Sequence, residues 1–460
     1  MATVELTLET FRDPAGSVRI TGDRVLRKVH PARANAALGF LRSELARDWV
    51  ARGRLIETRF LPGDNGGLTL EHPLIFFPTY PWEWTPSAWI AAADLTLDIC
   101  EGLLERGLIL KDATPLNVLF RGPRPVFVDV LSVEERDPAS PLWLAYAQFV
   151  RTFLLPLAAY EYLGWPLAAS IQNRDGYEPA DLAPHLSRMQ KWTEPFRSLV
   201  TLPLMLETSG NRSAGRIRVK QTPEVALAVL RRNLGGLRKH LLRFEQRSGR
   251  RPSRWSGYSF SADHYSADDH QRKRQFVRDA LMASVPRHVL DLGANSGVYS
   301  RIAAECGAKV IAWDTDLQAT EENWREAARL NLDIAPLIAN AGRPTPAAGW
   351  RNAESLALLD RARGRFDCVI MLGLIHHLLL SEQIPLAEIA ALLRELTSSW
   401  AIVEWVPASD PRFVDLLRGR EELYGHLDEA AFARAAGGHF TFVLREALPN
   451  GRILFLLQAR

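Results

Sequence analysis

Through the second half of the chain, short apolar runs alternate with longer stretches whose apolar residues recur at helical spacing. The runs at 288–292, 309–313, 335–339, 367–372 and 400–405 read as strands, and the stretches between them, including 317–331 and 385–397, read as helices. Continuous apolar strands joined by helices predict a doubly wound parallel sheet, because each such strand needs cover on both faces. The chain then closes on two further runs, 440–444 and 452–457, about Pro449-Asn450-Gly451, a hairpin that completes the sheet's edge. The first half has a different rhythm. Residues 18–29 alternate about Gly22 as a second hairpin, residues 34–52 and 86–106 carry helical patterns, and residues 140–245 are nearly all helical. Two rhythms in 460 residues predict two domains, 1–250 and 251–460, divided near the polar stretch Arg247-Ser248-Gly249-Arg250-Arg251-Pro252-Ser253-Arg254.

Chemistry enters first at Val289-Leu290-Asp291-Leu292-Gly293-Ala294-Asn295-Ser296-Gly297. A strand ends in an acid, and two glycines four positions apart let the backbone turn tightly into a helix while leaving room at the strand's carboxyl end. The spacing is GxxxG, not the GxGxxG that seats a dinucleotide pyrophosphate. Seventeen residues beyond Gly297 the next apolar run ends in Asp314, whose carboxylate has the acceptors to hold both hydroxyls of a ribose. A third segment, Phe366-Asp367-Cys368-Val369-Ile370-Met371-Leu372-Gly373-Leu374-Ile375-His376-His377-Leu378, is a buried strand running into a His-His-Leu turn.

Residues 256–460 resemble the class I S-adenosylmethionine-dependent methyltransferases on these three segments. The resemblance implies that Asp291, Gly293 and Gly297 shape the methionine pocket of an S-adenosyl-L-methionine site to which Ala294, Asn295, Leu372 and Gly373 also belong. Asp314 would hold the ribose and Asn340 would lie near the adenine, where an aspartate is commoner. His376 or His377, at the rim, would accept a proton from an oxygen or nitrogen nucleophile, since imidazole titrates near neutrality; the alternative is that one packs on the sheet and the other caps a helix. Glu404, ending the fifth strand, is either a substrate contact or a rim carboxylate. Trp350 and Pro344-Thr345-Pro346 mark a substrate-side loop by position alone.

The first half carries Lys111-Asp112-Ala113-Thr114-Pro115-Leu116-Asn117, followed by Phe127-Val128-Asp129. An aspartate, an asparagine five positions on, two strands and a second aspartate form the layout of a phosphoryl-transfer centre. This segment resembles the catalytic loop and metal aspartate of protein-kinase-like and aminoglycoside-phosphotransferase folds over residues 10–245. The resemblance implies a small β lobe to about residue 80, an interlobe linker at 72–85 and a helical lobe beyond. It makes Asp112 the base, Asn117 and Asp129 magnesium ligands, and Lys28 with Glu44 the ion pair that positions ATP. Departures stand beside it: Leu110 replaces the usual histidine, no glycine follows Asp129, and no glycine-rich loop precedes Lys28. The domain is therefore either degenerate, recruiting substrate, or nucleotide-binding. An Asx turn for Asp112 and Asn117, and an exposed pair for Lys28 and Glu44, are the plain structural readings.

The fold class that results is α/β, a C-terminal doubly wound Rossmann-like methyltransferase sheet preceded by an α+β kinase-like domain with a helical lobe. Composition alters little. A net charge of +3 rules out polyanion binding by bulk charge. Cys100, Cys306 and Cys368 fit neither a zinc spacing nor a disulfide framework and read as buried thiols. No apolar run reaches spanning length and the start lacks a signal pattern, so cytoplasmic residence is expected. The arginine- and lysine-rich run from Arg231 to Arg254 holds one acid, Glu245; it would grip RNA or, more commonly, pair with acidic protein surface. The expected function is methyl transfer to a small-molecule or biosynthetic-intermediate acceptor. The rivals are a bifunctional phosphotransferase/methyltransferase and an RNA-modifying methyltransferase.

Overall fold

A computed structural model of the chain describes residues 8–10, 12–62, 67–209, 221–248 and 266–460. It divides into two compact units, one made mostly of residues 7–251 and the other of residues 252–460. Most of the polar stretch read as the boundary, 249–254, lies outside the described residues.

The first unit begins with an antiparallel sheet of β1 (Leu8–Glu9), β2 (Gly16–Thr21), β3 (Arg24–Val29), β4 (Arg59–Pro62) and β5 (Leu68–Pro73), in the order β1-β2-β3-β5-β4. Thr21 pairs with Arg24, so only Gly22 and Asp23 form the turn, and Gly22 adopts the positive φ (+61°) that such a tight hairpin requires. The helical pattern at 34–52 is two helices rather than one, Pro31–Leu41 and Glu44–Ala51. Ser43 breaks it by accepting a hydrogen bond from the Ala46 N–H at 3.2 Å, an N-cap. β4 is an edge strand with mostly exposed side chains, so no half-buried alternation marks it in the sequence. β5 enters what reads in sequence as a linker.

A helix over Pro86–Leu104, started by the Thr85 hydroxyl and Pro86, is buried along most of its length. It leads into two small ladders, β6 (Leu108–Leu110) with β9 (Val133–Glu135), and β7 (Val118–Arg121) with β8 (Arg124–Phe127). Short helical pieces follow to Ser209, and a long helix covers Pro223–Ser248.

The second unit is a seven-stranded sheet of β10 (His288–Leu292), β11 (Lys309–Asp314), β12 (Ile334–Ile338), β13 (Phe366–Met371), β14 (Thr397–Trp405), β15 (Phe440–Ala447) and β16 (Ile453–Ala459). Its order is β12-β11-β10-β13-β14-β16-β15, with β10 to β14 mutually parallel and β16 antiparallel between β14 and β15. This is a doubly wound, Rossmann-like α/β sheet, each expected strand present within a few residues. Val289, Val310, Ile370, Ile402 and Leu456 form its core under the flanking helices. The strand order reverses between β10 and β13. In open α/β sheets that reversal leaves a crevice at the strands' carboxyl ends, where ligands bind. Of the cysteines, Cys100 and Cys368 are buried, Cys306 is half-buried, and all three are free. Among the described residues no helix is long and apolar enough to cross a membrane.

Candidate functional site

β10 leaves the sheet through Gly293 (φ +72°), Asn295 (φ +49°) and Gly297 (φ +78°) before the helix Val298–Glu305 starts. The Gly293 and Ala294 N–H groups both donate to the Trp313 carbonyl, at 2.9 and 3.1 Å, which fastens the turn to β11. A Cβ on Gly297 would sit 2.0 Å from Asn323 Oδ1, so any other residue would push that side chain aside as well as strain a positive φ. The glycines are therefore required by backbone shape.

Asp291 is buried and accepts a 2.6 Å hydrogen bond from the Ser300 hydroxyl. Burial pushes its carboxyl up to about 6, Ser300 works against that shift, and the nearby Asp314 charge adds to it. The folded protein thus holds this proton to higher pH than the unfolded chain, and the contribution of Asp291 to stability falls as pH rises from about 4 to about 6. Asp291→Asn keeps an acceptor for Ser300 and removes that loss. It is expected to raise the melting temperature at pH 7.5 and leave it unchanged at pH 4; a variant no more stable than wild type at pH 7.5 would contradict this account.

Asp314 ends β11 with Oδ2 accepting the Asn295 N–H at 2.7 Å and Oδ1 accepting the Asp316 N–H at 2.8 Å. Two backbone donors fix the carboxylate's plane, and each oxygen keeps a further lone pair for a hydroxyl. Burial raises its pKa and those N–H groups oppose the rise. Asn340, past β12, closes an Asx turn, its Oδ1 accepting from the Gly342 and Arg343 N–H groups at 2.8 and 3.1 Å. Leu372 and Ala294 are buried, and Gly373 follows β13 with φ +63°.

His376 and His377 lie in the helix Ile375–Leu380, their rings 4.2 Å apart between centroids. His376 is 1% exposed, and neither of its ring nitrogens meets a hydrogen-bond partner among the described residues. Burial first holds both histidines below their ordinary pKa, helped at His376 by His377 and at both by the positive field of Arg452, so both are neutral near pH 7. Glu404 is not at a rim. It is fully buried, with Lys273 Nζ at 2.8 Å and Arg452 Nη1 at 3.8 Å, while Arg452 Nε bonds Asp410 Oδ2 at 2.7 Å. The Lys273 ammonium also lies 5.2 Å from the centre of the Tyr299 ring. The Glu404 carboxylate is thus engaged inside the fold by two cations. Trp350 is largely exposed in its loop and donates its N–H to Glu354 at 2.7 Å.

Lys273, Arg452, Asp410 and Tyr299 were not singled out from sequence. Lys273 left a signal: it sits on the same helical stripe as Phe276, Val277 and Ala280, all buried, so it is a charge on an apolar face.

In the first unit the loop brings Asn117 and Asp129 together. Asn117 closes a single turn capped by Thr114, and its carbonyl accepts the Val128 N–H at 2.9 Å. Its side-chain amide reaches Ser132 Oγ at 3.4 Å, and the same hydroxyl donates to Asp129 Oδ2. Arg27 Nη1 bonds Asp129 Oδ1 at 2.6 Å, and Nη2 bonds the Val128 carbonyl at 3.1 Å. Burial would raise the Asp129 carboxyl, but the Arg27 guanidinium and the Ser132 hydroxyl outweigh it and hold it low. Asp112 is half-exposed, its carboxyl raised by burial against the pull of Lys111, whose Nζ lies 3.8 Å away and 3.3 Å from Asp13. Lys28 and Glu44 both face solvent. On β3 the inward cation is Arg27, one residue before Lys28, because strand side chains alternate. Each Asp129 oxygen already has a partner, Arg27 or Ser132, so a magnesium ion there would meet the Arg27 charge; among the described residues no group of three or more His, Cys, Asp or Glu side chains could hold a metal ion.

Three described residues of the basic run meet acids. Arg238 pairs with Asp94, with Asp98 at 2.7 Å and with Glu101 at 3.0 Å, all on the helix Pro86–Leu104. Arg231 approaches Glu105 at 3.8 Å and Arg247 approaches Glu161 at 4.0 Å. Arg250, Arg251 and Arg254 lie outside the described residues.

No family model matches the chain. Among solved structures, magnesium protoporphyrin IX methyltransferase (ChlM) of Synechocystis PCC 6803 with bound SAH overlaps 42% of the chain and 84% of its own length, at 18% identity and a TM-score of 0.30. N-methyltransferase NodS of Bradyrhizobium japonicum WM9 overlaps 42% of the chain and 98% of its own length, at 10% identity and a TM-score of 0.31. The bifunctional kinase-methyltransferase WbdD overlaps 42% and 40%, at 16% identity and a TM-score of 0.29. The fold stands on the strand order and not on these overlaps. A curated relative, nodulation protein NoeA of Rhizobium meliloti (strain 1021), is 31% identical over 462 residues, covering 96% of this chain and 94% of the relative. Likeness at that level along nearly the whole of both proteins means that the chain belongs to the family of the nodulation protein NoeA.

Proposed function

We propose that the second unit binds S-adenosyl-L-methionine and transfers its methyl group to a small-molecule acceptor. One observation carries the reading: the Gly293–Gly297 turn and the pinned Asp314 carboxylate stand together at the end of neighbouring strands, beside the reversal of strand order. The turn holds its backbone in the left-handed region at Gly293, Asn295 and Gly297, and Asp314 offers oriented acceptors for a ribose, so the residues fit the cofactor. Asp291, Ala294, Asn295, Leu372 and Gly373 would shape the methionine side, with Asn340 toward the adenine.

The sulfonium supplies an activated methyl group, which a nucleophile takes by direct displacement. The protein's share is alignment and exclusion of water. His376 or His377 would take the proton of a hydroxyl or amine as the neutral imidazole, and both ring nitrogens of His376 are without a partner among the described residues. Glu404, Lys273 and Arg452 support the walls of this region as positioning residues. We assign the first unit a recruiting or scaffolding role, in line with the Arg27–Asp129 pair at its centre. The relative is named for nodulation, and the same process is proposed for this chain.

Calorimetry of the full-length protein with adenosylhomocysteine tests the reading directly. Saturable one-to-one binding is expected, and no heat at any concentration of ligand would remove the proposed methyl donor.

A further inference from the structure

We propose that Arg27 takes the place of a divalent cation at the Asp112–Asn117–Asp129 centre, so that the first unit works without metal. The guanidinium delivers a fixed positive charge to the carboxylate that a magnesium ion would need, through Nη1 to Asp129 Oδ1 at 2.6 Å. A second bond, Nη2 to the Val128 carbonyl at 3.1 Å, locks its plane. The other Asp129 oxygen takes the Ser132 hydroxyl, and the Asn117 amide is turned to that same hydroxyl at 3.4 Å. Each Asp129 oxygen thus already has a partner within the fold, and one of the two partners, Arg27, carries a full positive charge. Magnesium binds through oxygens near 2.1 Å and gives up its water reluctantly. To compete it would have to expel a guanidinium that is 8% exposed and leave that charge buried without a partner.

The surroundings reinforce the exchange. β3 lies between β2 and β5, so Arg27 projects from the interior of the sheet and not from a loop that swings. His72 on β5 is 3% exposed, with its Nδ1 at 3.1 Å from the Glu57 carbonyl. Burial and the Arg27 charge hold it neutral, so it adds no charge of its own, while the Lys111 ammonium adds to the positive field at Asp129. The pair also ties the small sheet to the loop after β8, giving the centre a mechanical role within this unit. This inference is independent of the methyl-transfer reading.

The test is Mn²⁺ titration of the full-length protein, with and without ADP, followed by the electron paramagnetic resonance signal of free Mn²⁺. Wild type is expected to show no Mn²⁺ uptake that depends on Asp129. Arg27→Met, checked for folding by circular dichroism, is expected to gain uptake about tenfold or more above wild type, lost again on adding Asp129→Asn. Wild-type uptake abolished by Asp129→Asn alone would overturn the proposal. So would a folded Arg27→Met protein that still takes up no Mn²⁺. If Arg27→Met does not fold, the wild-type titration with its Asp129→Asn control decides by itself.

Discussion

Asp314→Ala is expected to weaken adenosylhomocysteine binding by about 30- to 300-fold, the loss of two hydrogen bonds to a charged acceptor. The carboxylate is held in plane by the Asn295 and Asp316 N–H groups, so its remaining lone pairs are oriented before any ligand arrives. Pre-orientation is what makes the expected effect large, because little entropy is left to lose on binding. The same two N–H groups complicate the variant, since alanine leaves them without their acceptor and loosens the Gly293–Gly297 turn. Asp314→Asn separates the two effects: it keeps an acceptor for one N–H and one hydroxyl, and an intermediate affinity is expected. Calorimetry gives the affinities and thermal melting gives the structural cost. Alanine and wild-type proteins with equal affinity would exclude Asp314 from the site.

Lys273→Met is expected to destabilise the protein by about 3 kcal/mol, because it leaves the Glu404 carboxylate buried with its nearest cation gone. Lys273 Nζ lies 2.8 Å from Glu404, whereas Arg452 Nη1 is 3.8 Å away and already committed to Asp410. Burial depresses the lysine's pKa even against that pairing, so the interior is a poor solvent for either charge alone. Adding Glu404→Gln to Lys273→Met should recover most of the loss, as replacing both members of a buried pair removes the stranded charge. Urea unfolding of the two single variants and the double variant measures this coupling. A Lys273→Met protein within about 0.5 kcal/mol of wild type would place the pair among ordinary surface ion pairs and remove its positioning role.

Strand positions in the second unit were readable because burial on both faces forces continuous apolar runs, and the crossovers force helical spacing between them. The Gly293–Gly297 turn was readable for a similar reason: a positive φ and a close approach leave few residue types that fit. β4 and the break at Ser43 were harder. An exposed edge strand carries no alternation, and one capping serine inside a long apolar pattern looks like any other polar position.

Side-chain partners followed another logic. Asp291, Asp314, His376 and Asp129 stand out by residue type and spacing, which are local properties. That Glu404 faces Lys273 across 131 positions, that Asp129 faces Arg27 and not Lys28 across 102, and that Arg238 faces Asp94, Asp98 and Glu101 are set by which elements pack together. Linear order fixes which groups a helix or strand presents. Packing fixes which opposite charge meets each of them, and so decides whether a carboxylate is left to bind a ligand or is neutralised by its own chain.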